Sequence, residues 1–156
     1  MIDFEEIYTL YSPQVFRVCM GYVNDEEHAK DLTQETFISV WKNLPSFKQQ
    51  AKISTWIFRI ATNNCLRALE TSKRRATSDL PLQVTDHKDE SPDEKLAVLY
   101  RCISELEEVD RIIISLVLED LPQADIADIV GISAVNIRVR IHRIKEKLAI
   151  KFKQYE

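Results

Sequence analysis

Basic side chains crowd the last third of the chain, on a segment that also carries an apolar stripe. The basic group is Arg138, Arg140, His142 and Arg143. Guanidinium and imidazole groups at this density can bind phosphates and the acceptor edges of bases, which is recognition chemistry rather than catalysis. The apolar group is Ile137, Ile141, Ile144 and Leu148. Because these apolar residues recur at helical spacing, the segment is predicted to be a helix with one inward face and basic outer sides.

A second, shorter helix is predicted just before this one, over Gln123 to Val130. Gly131 follows it directly, and glycine adopts the left-handed backbone that ends a helix. Ser133 is a suitable N-cap for the next helix. Two helices joined by a glycine turn, with the second one basic, indicate a helix-turn-helix that binds DNA. The alternative is an amphipathic hairpin with a solvated basic face, and the agreement of turn, cap, stripe and charge favours DNA binding.

Composition favours an all-α protein. The chain has 156 residues with only 2 glycines and 5 prolines, and it is rich in leucine, isoleucine, alanine and charged residues. Net charge is −4 at pH 7, which by itself argues against a nucleic-acid binder. The charge is unevenly distributed, however: residues 134–153 hold seven Lys or Arg and one Glu, whereas residues 1–36 hold eight acids and two bases. The acidic N-terminal part is therefore expected to meet a basic protein surface.

Two helices are predicted in this acidic part. The first spans Asp3 to Tyr22, and Pro13 predicts a bend or break near Ser12. The second opens with Asn24 as N-cap and stops before Pro45. One side of it is spaced to carry polar and large apolar groups: Asp31, Gln34, Glu35, Ile38 and Trp41. Such a side is typical of a protein-docking face, and an ordinary solvated face explains it equally well.

The third long helix is predicted over Ile53 to Leu69, after a polar loop. It brings Trp56, Phe58 and Arg59 close to Asn63, a mixture that suits unstacked bases, although aromatics on a helix are more often core. Ala76 to Pro92 has polar composition and no helical stripe, which predicts a flexible linker between two domains. Two further helices are predicted beyond it, over Asp93 to Leu106 and Glu107 to Glu119.

No cofactor or metal site is predicted. The three cysteines, Cys19, Cys65 and Cys102, are scattered, no CxxC occurs, and no His/Cys cluster has zinc spacing. Buried free thiols in a reducing cytoplasm are the expected state. The sequence shows no signal peptide and no apolar run long enough to cross a membrane.

Three stretches, in this order, resemble the bacterial RNA polymerase sigma factors of the extracytoplasmic-function class in the sigma-70 family. DLTQETFISVWKNLPSF resembles the family's core-polymerase-binding helix, and STWIFRIATNNCL resembles the helix that opens and reads the −10 element. The helix-turn-helix, with its closing arginines and Glu-Lys-Leu, resembles the −35 reader. The resemblance covers roughly Phe4 to Leu148. It implies sigma region 2 in residues 1–75, a linker in residues 76–92 and sigma region 4 in residues 93–156.

The resemblance also implies residues and partners. Core-polymerase binding falls to Asp31, Gln34, Glu35 and Trp41. Recognition and melting of the −10 element fall to Phe47, Lys52, Thr55, Trp56, Arg59 and Asn63. Recognition of the −35 element falls to Ser133, Asn136, Arg138, Arg140, His142 and Arg143. The expected partners are core RNA polymerase, promoter DNA and an anti-sigma factor, often membrane-anchored. The free chain is expected to be a cytoplasmic monomer that performs no catalysis and carries no cofactor.

The −35 reader departs from the family pattern at three places. Residues 122–124, Pro-Gln-Ala, stand where the family usually has a Tyr-like residue with Glu. Val135 and Asn136 stand where a Gly-Thr pair is usual, and Val139 stands where Ser usually precedes the second arginine. These departures concern the DNA sequence that is read and leave the expected fold unchanged.

Two other classes are compatible with parts of the sequence. A dimeric regulator that binds duplex DNA without polymerase would need a dimer interface or a ligand pocket, and no long apolar face or polar cluster supplies one. An enzyme could use neighbouring carboxylates. The candidate clusters are Glu26, Glu27 and Asp31, and Glu107, Glu108 and Asp110. No His, Ser or Cys partner is placed near either cluster and no glycine loop could cradle a phosphate, so the sequence favours neither class.

Overall fold

A computed structural model describes residues 3–50, 52–76 and 94–155, with side chains included except at 69–76. These residues form α-helices and one 3₁₀ turn, Leu44–Ser46, which confirms the all-α prediction. The helices are α1 (Phe4–Val23), α2 (Glu26–Asn43), α3 (Ile53–Ala76), α4 (Glu94–Ser104), α5 (Glu108–Leu118), α6 (Gln123–Val130) and α7 (Ala134–Gln154). We call α1–α3 the N-terminal half and α4–α7 the C-terminal half. The predicted linker begins at Ala76, the last residue of α3, and its remainder lies outside the described residues.

Of the bend or break predicted near Ser12, the break is wrong, because α1 runs through Pro13 as one helix of 20 residues. Proline removes one backbone N–H, so the carbonyl of Thr9 loses its partner. Both Thr9 and Pro13 are exposed, and water can therefore satisfy that carbonyl. The opposite side of α1 places Val15 and Val18 in the core, and this packing holds the helix together across the proline.

The junction between α1 and α2 lies one residue from its predicted place. Asn24 is not the N-cap of α2; it ends α1 in the left-handed conformation, with φ 49°. Asp25 is the N-cap instead, and its carboxylate accepts hydrogen bonds from the amides of Glu27 and His28. Asparagine tolerates the left-handed region better than most residues, so each of the two polar residues caps a different helix.

Helix α3 continues seven residues beyond its predicted end at Leu69. Ile57, Phe58 and Ala61 are fully buried against α1 and α2. Phe58 is therefore a core residue and is not available to stack on a base. Asn64 is also buried, and its side-chain amide donates to the hydroxyl of Thr36 on α2 at 3.3 Å.

The C-terminal half matches the sequence expectation closely where the signal is local. Gly131 ends α6 with φ 81°, and its amide donates to the carbonyl of Ala127. Ser133 then caps α7, because its hydroxyl accepts from the amide of Asn136 at 3.2 Å. The stripe of Ile137, Ile141 and Ile144 on α7 is buried as predicted. These contacts set the angle of the helix-turn-helix.

The two halves pack against each other, α1 against α4 and α5, and α3 against α6. The helices approach closely at Gly21 on α1. A Cβ built on Gly21 would stand 2.1 Å from the hydroxyl oxygen of Ser115 on α5, so a larger residue requires Ser115 or the helices to shift. Close by, Arg111 donates to the carbonyl of Tyr22 at 3.0 Å and lies over the Tyr22 ring. Backbone approach and charge together fix this contact.

The cysteines are free and buried, as predicted. Cys19 on α1 and Cys65 on α3 lie side by side in the N-terminal core, with 3.8 Å between their sulfur atoms. Among the described residues, no helix is both long and apolar enough to span a membrane.

Candidate nucleic-acid and polymerase interfaces

One side of α2 is exposed along its whole length. Its core side holds Ala29, Leu32 and Val40 against the neighbouring helices. The exposed side carries the residues expected to bind polymerase and the isoleucine between them: Asp31, Gln34, Glu35, Ile38 and Trp41. Ile38 and Trp41 are large apolar side chains left in water one turn beyond the acids. The structure thus brings these residues together on one accessible surface, which we call the α2 face.

The −10 candidates gather where the loop before α3 meets its first turns. The rings of Phe47 and Trp56 lie 4.8 Å apart between centroids, and both residues are half-buried. Thr55 is buried beside them, whereas Asn63 is exposed two turns further along α3. The paired rings form an aromatic surface next to polar groups, as stacking on an unpaired base requires.

Both basic −10 candidates, Lys52 and Arg59, contact the C-terminal half. The ammonium of Lys52 lies 3.4 Å from the carboxylate of Asp125 on α6. A guanidinium nitrogen of Arg59 donates to the backbone carbonyl of Asp128, also on α6, at 3.2 Å. The first helix of the helix-turn-helix therefore contacts both cationic groups, although the Lys52 side chain remains 69% exposed.

Some of the −35 candidates have exposed side chains, and others have side chains that already contact another part of the protein. The side chains left exposed on the outer surface are Asn136, Arg138, His142 and Arg143. Nε2 of His142 lies 3.1 Å from the carboxylate of Glu146, one turn further on. The hydroxyl of Ser133 is already used as the N-cap of α7.

Arg140 is placed differently from the other arginines of α7. Its guanidinium donates to the carboxylate of Asp110, in the first turn of α5, at 3.1 Å. The exposed fractions of the two side chains are 39% for Arg140 and 10% for Asp110, so the carboxylate is nearly enclosed. The sequence predicts the charge of Arg140 but gives no local signal for a partner thirty positions earlier.

The sequence also gave no indication of the ion pair between Arg17 on α1 and Glu119 after α5, at 2.6 Å. These residues connect the two halves and belong to no recognised motif. Among the described residues, no group of three or more His, Cys, Asp or Glu could hold a metal ion.

A helix-turn-helix with an exposed basic helix is the arrangement of a DNA-binding protein. Comparison with known families gives the same result: residues 7–75 match the Sigma-70 region 2 model, and residues 96–148 match the Sigma-70, region 4 model. The chain belongs to the sigma-70 family, in its extracytoplasmic-function class.

Relatives and solved structures agree with this assignment. The chain is 26% identical, over 93% of its length and 86% of the relative's, to the ECF RNA polymerase sigma factor SigW of Bacillus subtilis (strain 168). Its fold resembles the sigma factor RpoE from Bartonella quintana, solved with the anti-sigma factor NepR, with TM-score 0.84, 21% identity and 97% of each chain covered. It also resembles CnrH, solved with the cytosolic domain of CnrY, with TM-score 0.70, 19% identity, and 98% and 89% covered.

Membership of this family defines what the chain does. Sigma factors bind core RNA polymerase and direct it to promoter DNA, so the chain is a transcription initiation factor rather than a catalytic enzyme. Its surfaces must therefore serve recognition, and nucleotide polymerisation belongs to the core enzyme.

Proposed function

We propose that residues 1–75 bind polymerase and the −10 element and that residues 93–156 read the −35 element. Residues 76–92 form the linker between them. The matched family regions, 7–75 and 96–148, fall within these bounds and support the division. The observation that carries the proposal is that the exposed α2 face and the exposed basic side of α7 lie on different halves.

The α2 face docks on core RNA polymerase through Asp31, Gln34, Glu35 and Trp41. Acidic groups beside an exposed indole fit a basic helical surface with an apolar contact at its centre. The test is Glu35→Lys, which should weaken binding to core polymerase by about 1 kcal/mol or more, the scale of an interfacial charge reversal. The matched control is Glu6→Lys on α1, an equal charge change at an exposed position outside this face. Equal binding by both variants would remove the α2 face from the interface.

Promoter DNA meets the chain at two places. At the −10 element, Phe47 and Trp56 supply the stacking surface, while Lys52, Arg59 and Asn63 supply charge and hydrogen bonds. Thr55, which is buried, contributes through the first turn of α3. Base capture requires unpairing energy, and stacking on this surface offsets part of it.

At the −35 element, the exposed Asn136, Arg138, His142 and Arg143 face the duplex. Ser133 and Arg140 complete the set of expected contact residues, each with a contact inside the protein as well.

We further propose that an anti-sigma factor restrains the chain, which acts in the cytoplasm as a monomer until it joins polymerase. RpoE and CnrH, which share this fold, were solved with NepR and with the cytosolic domain of CnrY respectively. The contacts of Lys52 and Arg59 with α6 support restraint of this kind, because a protein that stabilised them would keep the −10 residues from promoter DNA.

The decisive experiment combines the purified chain, core RNA polymerase and a genomic DNA library, followed by sequencing of transcript starts. Starts that share two spaced motifs support the proposal, and random starts contradict it. Analytical ultracentrifugation of the free chain separates this function from that of a dimeric regulator, since a reader of palindromic DNA is dimeric.

A further inference from the structure

Two valines are exposed on the first turns of α7. Val135 keeps 67% of its surface in water and Val139 keeps 41%. They are spaced i, i+4 and therefore lie on one side of the helix. The buried stripe of Ile137, Ile141 and Ile144 occupies the opposite side, at 100° of rotation per residue. The valines thus face directly away from the domain core, where an apolar side chain contributes nothing to folding.

Basic groups surround this apolar pair. Arg138, His142 and Arg143 are exposed on the same outer surface of α7. A cationic rim around an apolar centre is complementary to a major groove, whose phosphates lie at its edges and whose floor carries the bases. The N-terminal turns of a recognition helix are the ones that reach the floor, and Val135 and Val139 lie on those turns.

Among the groups that line the floor of the major groove, the C5-methyl of thymine is the apolar one. We propose that Val135 and Val139 contact thymine methyl groups in the −35 element and make this chain select thymine at the positions beneath them. The inference rests on the proposed role of α7 as the −35 reader and adds a sequence preference to it.

The test uses holoenzyme assembled from the full chain and core RNA polymerase, with a duplex promoter selected by that holoenzyme from genomic DNA. Each thymine of the −35 element is replaced in turn by deoxyuridine, which removes one methyl group and keeps every hydrogen bond. At one or two positions the Kd of the closed complex should rise about fourfold, the factor expected when one buried methyl-sized group is lost.

The variants Val135→Ala and Val139→Ala identify the contact. Each should raise the Kd on the thymine promoter and lose sensitivity to deoxyuridine at its own position, because the valine and the methyl act as one pair. The matched control is Ile150→Ala, an exposed apolar residue near the end of the same helix, which should keep the full deoxyuridine effect.

Three results would overturn the inference, and they are distinguishable. If deoxyuridine is tolerated at every −35 position while Arg138→Ala and Arg143→Ala weaken the closed complex, α7 reads the element without the valines. If the valine variants weaken binding to core polymerase in the absence of DNA, a protein surface covers this side of α7. If the arginine variants also bind the promoter normally, the proposed role of α7 is wrong, and the inference fails with it.

Discussion

Arg17 and Glu119 form a bidentate salt bridge between the two halves of the molecule. Nε of Arg17 lies 2.9 Å from each carboxylate oxygen of Glu119, and Nη2 lies 2.6 Å from one of them. The hydrogen bond to Glu119 raises the pKa of Arg17, since the carboxylate stabilises the charged guanidinium. The two partners differ in environment: Arg17 is 49% exposed, whereas Glu119 is only 8% exposed.

This asymmetry predicts that Arg17→Ala destabilises the protein more than Glu119→Gln. The first change leaves a nearly enclosed carboxylate without its cation, which should lower the free energy of unfolding by about 1–3 kcal/mol. The second leaves a guanidinium that water can solvate. Urea denaturation of both variants and of the double variant measures the difference. Equal losses in the two single variants would show that Glu119 is solvated in solution.

Gly21→Ala should loosen the packing of α1 on α5. The added Cβ would lie 2.1 Å from the hydroxyl oxygen of Ser115 and 3.1 Å from its Cβ, so the helices must separate or Ser115 must turn. Because α6 packs against α5 and should move with it, the contacts of Lys52 and Arg59 with α6 should weaken too. We expect a larger radius of gyration by small-angle X-ray scattering and tighter binding of the free chain to a −10 single strand.

Two variants control for this effect. Ser115→Ala removes the nearest atom, so adding it to Gly21→Ala should restore much of the packing. Gly131→Ala places strain at φ 81° but meets no atom within 4 Å, so it should lower stability without changing the radius of gyration. An unchanged radius in Gly21→Ala would mean that the interface absorbs the methyl group by local adjustment.

The parts of the fold that the sequence predicted well depend on neighbouring residues. Gly131 and Ser133 were assigned correctly because a left-handed end and an N-cap are decided within one helical turn. A break at Pro13 was wrongly allowed because the cost of proline depends on whether water reaches the freed carbonyl, which is a property of tertiary structure. Helix periodicity gave no indication of the pairing of Arg17 with Glu119, 102 positions away, since that contact exists only after the halves pack.

For the candidate sites, sequence predicted which residues carry charge but not which contacts they make. Helical spacing put Asp31, Gln34 and Glu35 on one exposed side of α2, as the structure shows. The same reasoning grouped Arg140 with the outward arginines, although it lies about 40° from Ile144 at the edge of the buried stripe. That position is close enough to the scaffold for Arg140 to reach Asp110.

Asp110→Asn should therefore impair −35 recognition even though Asp110 lies on α5 and not on the recognition helix. Loss of its charge weakens the contact that fixes the orientation of α7 against α5, and Arg140→Gln should have a similar effect. The Kd of the holoenzyme for promoter DNA, measured over a range of salt concentrations, tests whether the two variants impair recognition. If Arg140 acts only by holding α7 against Asp110, both variants should raise the Kd without changing the salt slope, because no phosphate contact is then lost. If Arg140→Gln alone has an effect and lowers the slope by about 1, Arg140 is a phosphate contact.

The end of α7 should loosen at acidic pH. The hydrogen bond from Lys151 lowers the pKa of Glu105 below its usual value of 4.5, and Tyr155 also donates to this carboxylate. Because folding lowers this pKa, ionised Glu105 stabilises the fold at neutral pH, and the contribution is lost as the pH falls through the lower folded value. The protection factors of the amides in residues 149–155, which are corrected for the intrinsic exchange rate, should fall in that range. Glu105→Gln should remove the pH dependence, and its persistence in that variant would assign the effect to another carboxylate.

Variants of the two proposed DNA-binding surfaces should be defective at different steps of initiation. Arg138 and Arg143 project from α7 away from its buried stripe, so truncation spares the domain core. An arginine that reads guanine discriminates by about 1–3 kcal/mol, and Arg138→Ala or Arg143→Ala should weaken the closed complex accordingly. Asn63 lies on α3 beside the −10 aromatic surface, so Asn63→Ala should impair promoter opening instead. Abortive transcription from duplex templates measures both defects.

A template that carries a pre-melted −10 bubble and the same −35 element separates the two steps. The bubble supplies the unpairing energy, so it should relieve part of the opening defect of Asn63→Ala without restoring base recognition. The bubble should not relieve the defect of the arginine variants. These variants weaken binding to the −35 duplex, and that step precedes melting. Arg143 could instead anchor a phosphate, in which case its loss weakens all promoters alike and lowers the salt slope. If the bubble rescues the arginine and asparagine variants equally, the assignment of separate steps to α7 and α3 is wrong.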